Sequence, residues 1–215
     1  MSVKEKKFFK HKVAIKFTSS ALVLGALLAI PLQAEAYYRF GRIWTSTAGQ
    51  KYPTVLAGNF NTSMIQVANS MNQKWGGLPN STLQTGSLFV SNSITAYENA
   101  SFTMAFGDNM AMYNNNAPGF ALTCVGCNAA HIALSSNYIW SNRFAEASYA
   151  SGYFGYVDSS TVILHELGHS YGLDHPDADP NTPLTYAEIS SVMFVSHSIK
   201  RNVTSDDALG IASMY

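Results

Sequence analysis

His165-Glu166-Leu167-Gly168-His169-Ser170-Tyr171-Gly172-Leu173-Asp174-His175 decides how the rest of the chain is read. Its pattern is H-E-x-x-H-x-x-G-x-x-H. On a helix, His165 and His169 stand at i and i+4, so both imidazoles leave one face, a turn apart. That spacing lets two ring nitrogens reach one Zn²⁺ at roughly 2.0–2.1 Å. Glu166 lies between them and is not a ligand; its place on the helix aims the carboxylate at the remaining coordination position, as a general base requires. Gly172 suits the left-handed conformation that ends a helix and reverses the chain, which brings His175 round as the third ligand. Three neutral imidazoles leave one position open, the arrangement of a catalytic rather than a structural zinc site. The expected cofactor is one catalytic Zn²⁺; the bland alternative is an exposed helix bearing three unrelated histidines.

Two downstream signals narrow the reading. Ser191-Val192-Met193 places a methionine 18 residues after His175. Thr204-Ser205-Asp206-Asp207-Ala208-Leu209-Gly210-Ile211-Ala212-Ser213-Met214-Tyr215 opens with paired aspartates and runs on through Gly-Ile to a terminal Tyr. The histidine motif followed by a methionine turn at Met193 resembles the metzincin clan of zinc peptidases. The final segment is similar to the last helix of the matrixins, the matrix-metalloproteinase family. The resemblance is strong over 158–215 and rests on element order alone over about 54–140.

Upstream, the chain divides by composition. Residues 1–36 carry six lysines and two glutamates, whereas 37–215 carry seven Lys or Arg against eleven Asp or Glu. Nothing basic remains in the second part to suggest nucleic-acid binding. A lysine-rich start (1–16), an apolar run (17–32) and Ala34-Glu35-Ala36 read as a secretory signal peptide. A retained anchor is the alternative, but the run falls short of the roughly 20 residues a spanning helix needs. The expected domains are thus a signal peptide, 1–36, and a catalytic domain, 37–215. The expected location is extracellular, with the cell surface or periplasm as variants.

Within the second part, Asn61 or Thr62 caps a helix over about 63–75, with Met64, Val67, Met71 and Trp75 on one face. Gly76-Gly77 ends it. Leu88-Phe89-Val90, 102–106, Phe120-Ala121-Leu122-Thr123 and 131–134 read as strands, and 114–119 as a loop. Asp158-Ser159-Ser160 caps the metal-binding helix, which buries Ile163, Leu167 and Tyr171. The fold class expected from this order and the resemblance is α+β. It comprises a mixed, twisted sheet, two long helices and a small C-terminal subdomain with the methionine turn and a last helix.

Cys124 and Cys127 stand in a C-x-x-C pattern. Behind a signal peptide a disulfide is the default, with redox chemistry and metal ligation as alternatives. Outside the motif, His131 and His197 read as surface or hydrogen-bonded histidines, His197 falling near the segment that meets substrate in the family.

The resemblance implies a secreted endopeptidase that hydrolyses peptide bonds through a zinc-bound water, with Glu166 as general base. It implies an extended peptide or protein as substrate, laid along an edge strand, for which Phe120, Ala121 and Leu122 are the candidate and an ordinary internal strand the alternative, with Phe194, Val195 and Ser196 walling the first primed subsite. Strand addition of that kind makes little demand on substrate sequence. A monomer is expected, with no membrane contact once the leader is gone. Other readings are a narrow-specificity processing peptidase or a non-catalytic secreted binding domain on the same scaffold; an intact Glu166 speaks against the last.

Departures from the matrixin pattern matter. Pro176 follows the third histidine, as in serralysins, yet the nonapeptide calcium repeats of serralysins are missing. Val195 stands where astacins and serralysins place an extra tyrosine ligand. The histidines for a second, structural zinc are lacking. Calcium ligation by Asp158 or Asp108 has no loop signature behind it. No cysteine precedes Cys124 and no aspartate falls in 37–97, so neither of the clan's latency plugs is expected, and leader removal alone should yield active enzyme. The resemblance also implies a pairing of a new N-terminus at Tyr37 with Asp206.

Overall fold

The computed structural model describes residues 39–107, 117–142, 156–178, 183–194 and 198–215, all within the unit Glu35–Tyr215. The expected signal peptide, Tyr37, Asp108, Val195, Ser196 and His197 lie outside the described residues. In chain order the elements are β1 (Thr54–Leu56), α1 (Thr62–Gln73), β2 (Phe89–Ser91), α2 (Ile94–Glu98), β3 (Phe102–Phe106), β4 (Gly119–Cys124) and β5 (Ala129–Leu134). There follow β6 (Ile139–Ser141), β7 (Tyr156–Asp158), α3 (Ser159–Ser170), α4 (Tyr186–Ser190) and α5 (Ser205–Ala212).

Among the described residues five strands form one sheet in the order β2-β1-β3-β5-β4. Every pairing is parallel except β4 with β5, which run antiparallel with Ala121 opposite Ile132. β6 and β7 form a separate parallel pair. This mixed α/β arrangement is compatible with the expected α+β class. Among the described residues the sheet order ends on β4, the strand that carries Phe120-Ala121-Leu122.

The first helix starts where its cap predicts. The Asn61 side chain accepts from the Met64 N–H at 2.9 Å, filling one of the unpaired donors of a helix start. It ends two residues earlier than expected, at Gln73, and Trp75 is buried just beyond it. Gly119 opens β4 instead of closing a loop. The elements β1, α2, α4 and the β6–β7 pair are short, three to five residues each, and give no periodic signal.

The metal-motif helix α3 differs from the one-sided helix expected. Its whole length, Ser159–Ser170, is buried. It packs against α1 on one side and β4 and β5 on another, while the segment after α4 covers its far face. A helix surrounded on all sides cannot show a clean apolar stripe. Its charged start is paired internally: Asp158 accepts from the Thr161 N–H at 2.7 Å and from Arg201 Nε at 3.0 Å. These bonds engage both oxygens of the Asp158 carboxylate. Among the described residues no helix is long and apolar enough to cross a membrane.

Candidate metal centre

α3 ends in a closure that shapes the site. Gly172 has φ +103. The Leu173 N–H donates to Gly168 O at 3.1 Å and the Gly172 N–H to His169 O at 2.9 Å. This pair of bonds is the Schellman pattern, in which the residue after the cap needs a positive φ. The chain then doubles back and delivers His175 to the two helical histidines. Nε2 of His175 lies 3.0 Å from Nε2 of His165 and 3.0 Å from Nε2 of His169.

The protons on these rings are settled by their outer contacts. Nδ1 of His165 lies 2.9 Å from Val192 O, and Nδ1 of His169 lies 2.8 Å from Leu173 O. A carbonyl only accepts, so each Nδ1 carries the proton and each Nε2 presents a lone pair inward. A proton on His175 Nε2 would satisfy only one of the two lone pairs at a time. A cation among the three nitrogens satisfies all of them. Ligands around a tetrahedral zinc stand about 3.3 Å apart, close to the spacing here. The three histidines therefore fit one metal ion, and neutral imidazole donors suit zinc as they suit copper, iron or nickel.

Burial keeps the rings neutral. Desolvation lowers His165 well below the usual histidine range, and the neighbouring rings add to it. Desolvation, with His175 beside it, takes His169 down to about 4. His175, less enclosed, is lowered as well. Glu166 is 5 % exposed, and burial raises its carboxyl to about 8. It sits against the start of β4, where a Cβ on Gly119 would meet Glu166 Oε1 at 2.9 Å and Val162 Cγ1 at 2.7 Å. The absent side chain at Gly119 is what lets the edge strand lie beside the carboxylate.

The turn at Met193 packs against α3 at Gly168. Met193 is 2 % exposed, and its sulfur and methyl group fill the space where a Gly168 side chain would go, with Trp75 beside them. The turn is held from three directions. Met193 N–H donates to Ser191 Oγ at 2.9 Å. Lys200 Nζ donates to the carbonyls of Ile189, Ser191 and Phe194 at 2.9, 2.7 and 3.0 Å. Asp207, 1 % exposed, accepts from the Val192 N–H at 3.1 Å and from the Ser191 hydroxyl. Thr204 N–H and Oγ1 reach the same carboxylate at 2.8 and 2.7 Å, so it caps α5 as well.

The remaining candidates are placed as follows. Phe194 follows the turn, half-buried, with the Lys200 ammonium 5.0 Å from its ring centre. Phe120, Ala121 and Leu122 run along the edge strand whose start touches Glu166. Cys124 and Cys127 come together across the β4–β5 connection, their Cα atoms 5.3 Å apart, within the span of a disulfide. His131 Nδ1 is hydrogen-bonded with Thr103 Oγ1 at 2.6 Å on the sheet, away from the metal cluster. Asp206 is buried at the start of α5, and desolvation, then Asp207 and Glu188, push its carboxyl up to about 7.

Gly119, Gly168, Lys200 and Trp44 were not singled out by sequence. Gly168 had a signal: a glycine in a helix interior costs about 1 kcal/mol relative to alanine and asks for a packing reason. No protein-family model matches the chain, and no curated protein matches it either.

Proposed function

We propose that this protein is a secreted zinc endopeptidase of the metzincin type, matrixin-like in its C-terminal part, that hydrolyses peptide bonds in extended chains. One observation carries the reading. Two inward lone pairs, fixed by Nδ1–H bonds to Val192 and Leu173, converge with His175 beside a buried glutamate.

His165, His169 and His175 would hold the metal. Zinc, when bound, supplies Lewis acidity, making water a better nucleophile near neutral pH and polarising a carbonyl. Glu166 takes the proton of the attacking water and passes it to the leaving amine nitrogen. Burial raises its carboxyl to about 8 in the metal-free site; a bound dication would lower it and leave a carboxylate able to accept a proton near neutral pH. β4 ends the sheet order among the described residues, the position at which a substrate strand would add through main-chain bonds. Gly119 keeps that strand close to Glu166, so the bound peptide passes the general base. No side-chain nucleophile is needed, because water attacks directly.

Casein hydrolysis tests this reading. Cleavage that phenanthroline stops and zinc restores supports it. A protein that binds zinc but leaves casein and peptide libraries intact would favour a binding domain instead.

A further inference from the structure

Residues 39–45 form a strap that touches both the metal-ligand segment and the C-x-x-C hairpin. On the metal side, the Phe40 N–H donates to Gly172 O at 2.8 Å, and Arg39 bridges to Leu173. The Phe40 ring lies 5.6 Å from the ring of His169. Trp44 Nε1 donates to Ser170 O at 3.0 Å, at the last turn of α3. Gly172 and Leu173 are the residues that close the helix, and Leu173 O orients His169. The strap thus holds the reversal that orients the second histidine and delivers the third.

On the other side, the hairpin holds the strap. Gly126 N–H donates to Arg42 O at 2.9 Å and Asn128 N–H to Ile43 O at 3.1 Å. The Asn128 side chain accepts from the Thr45 N–H at 2.7 Å. All three bonds come from within or directly beside the turn bounded by Cys124 and Cys127, a turn closed by Cys127 N–H on Cys124 O at 3.1 Å. Both cysteines are exposed, so a reductant reaches them without unfolding the domain.

We propose that the Cys124–Cys127 hairpin is a redox-sensitive latch on the metal site, acting through the strap. The proposal rests on the metal-binding part of the functional reading and not on peptide hydrolysis. In the oxidised form the cross-link fixes the turn that presents the Gly126 and Asn128 donors. A dithiol reductant breaks the S–S bond: two electrons and two protons pass to the cysteines, and the reductant's sulfurs join in a disulfide of their own. The turn then regains its freedom, the three bonds to the strap open more often, and the 170–173 reversal loses its cover. His175 leaves more readily, and the metal with it. Reoxidation by a disulfide donor reverses the exchange.

The test measures zinc transfer from the loaded protein to a chromophoric chelator, together with backbone hydrogen exchange. It compares the oxidised protein, the protein reduced with a phosphine and desalted, and the Cys124→Ser/Cys127→Ser double variant. The expected result is zinc release about tenfold faster after reduction, with faster exchange at 39–45 and 170–173. The double variant should match the reduced protein and ignore the phosphine. Equal release rates in oxidised and reduced protein would overturn the latch, as would faster release without faster exchange in the strap. Should the double variant not fold, the reduced wild-type protein decides alone. A chain that takes up no zinc in either form would instead overturn the metal-site reading itself.

Discussion

Val192 O accepts the Nδ1 proton of His165 at 2.9 Å, and the same residue's N–H donates to Asp207 at 3.1 Å. One peptide unit on each side of Val192 thus links the final helix to one of the three clustered histidines. Asp207→Ala would strand the donors of Val192, Ser191 and Thr204 in a buried place. Unfolding measurements should show a loss of about 2–4 kcal/mol. Zinc affinity should fall by up to about tenfold, because the outer partner of His165, Val192 O, is loosened rather than removed. Unchanged zinc affinity in a folded variant would break the proposed link.

Gly168→Ala separates propensity from packing. On helix preference alone the change should stabilise by about 1 kcal/mol. The added methyl, however, would overlap the Met193 sulfur and press on Trp75 at 3.0 Å. Overpacking of this kind costs about 1–3 kcal/mol. Denaturant titration should therefore show net destabilisation, and a stabilised variant would mean that Met193 moves aside freely.

The buried charges predict a pH dependence for metal uptake. At pH 7 the metal-free site holds neutral imidazoles, because burial lowers all three. Glu166, raised to about 8 by burial, holds its proton there. A dication beside it expels that proton, so zinc binding at pH 7 should release about one proton from Glu166. Protons compete with zinc, so apparent affinity rises with pH between about 6 and 8. Glu166→Gln has no such proton. Calorimetry in buffers of different ionisation enthalpy should show the variant releasing about one proton fewer than the wild type. Equal release would mean that Glu166 does not sense the metal.

The motif told most where chemistry and backbone geometry demand the same residues. The helical pair His165 and His169, the turn at Gly172 and the return of His175 all followed from spacing and one positive-φ glycine. The Asp158 cap followed from a side chain that bonds its own helix. What sequence could not show depends on distant neighbours. The full burial of α3 comes from elements far apart in the chain. Lys200 reads as an ordinary surface lysine until its three carbonyl partners are in place. Gly119 looked like loop punctuation because its neighbour, Glu166, lies 47 residues on. The strap at 39–45 has no periodicity at all, and only its contacts show that it reaches both the hairpin and the segment that carries the histidine cluster.

Peptide digestion in ¹⁸O-labelled water tests the central claim most directly, using zinc-loaded wild type and Glu166→Ala side by side. The account predicts that both proteins hold one zinc. Only the wild type should generate new C-termini at a useful rate, each carrying one ¹⁸O, with the variant slower by about 10²–10⁴-fold. A zinc-loaded wild type that generates no labelled termini, or a Glu166→Ala variant that matches it, would contradict the account.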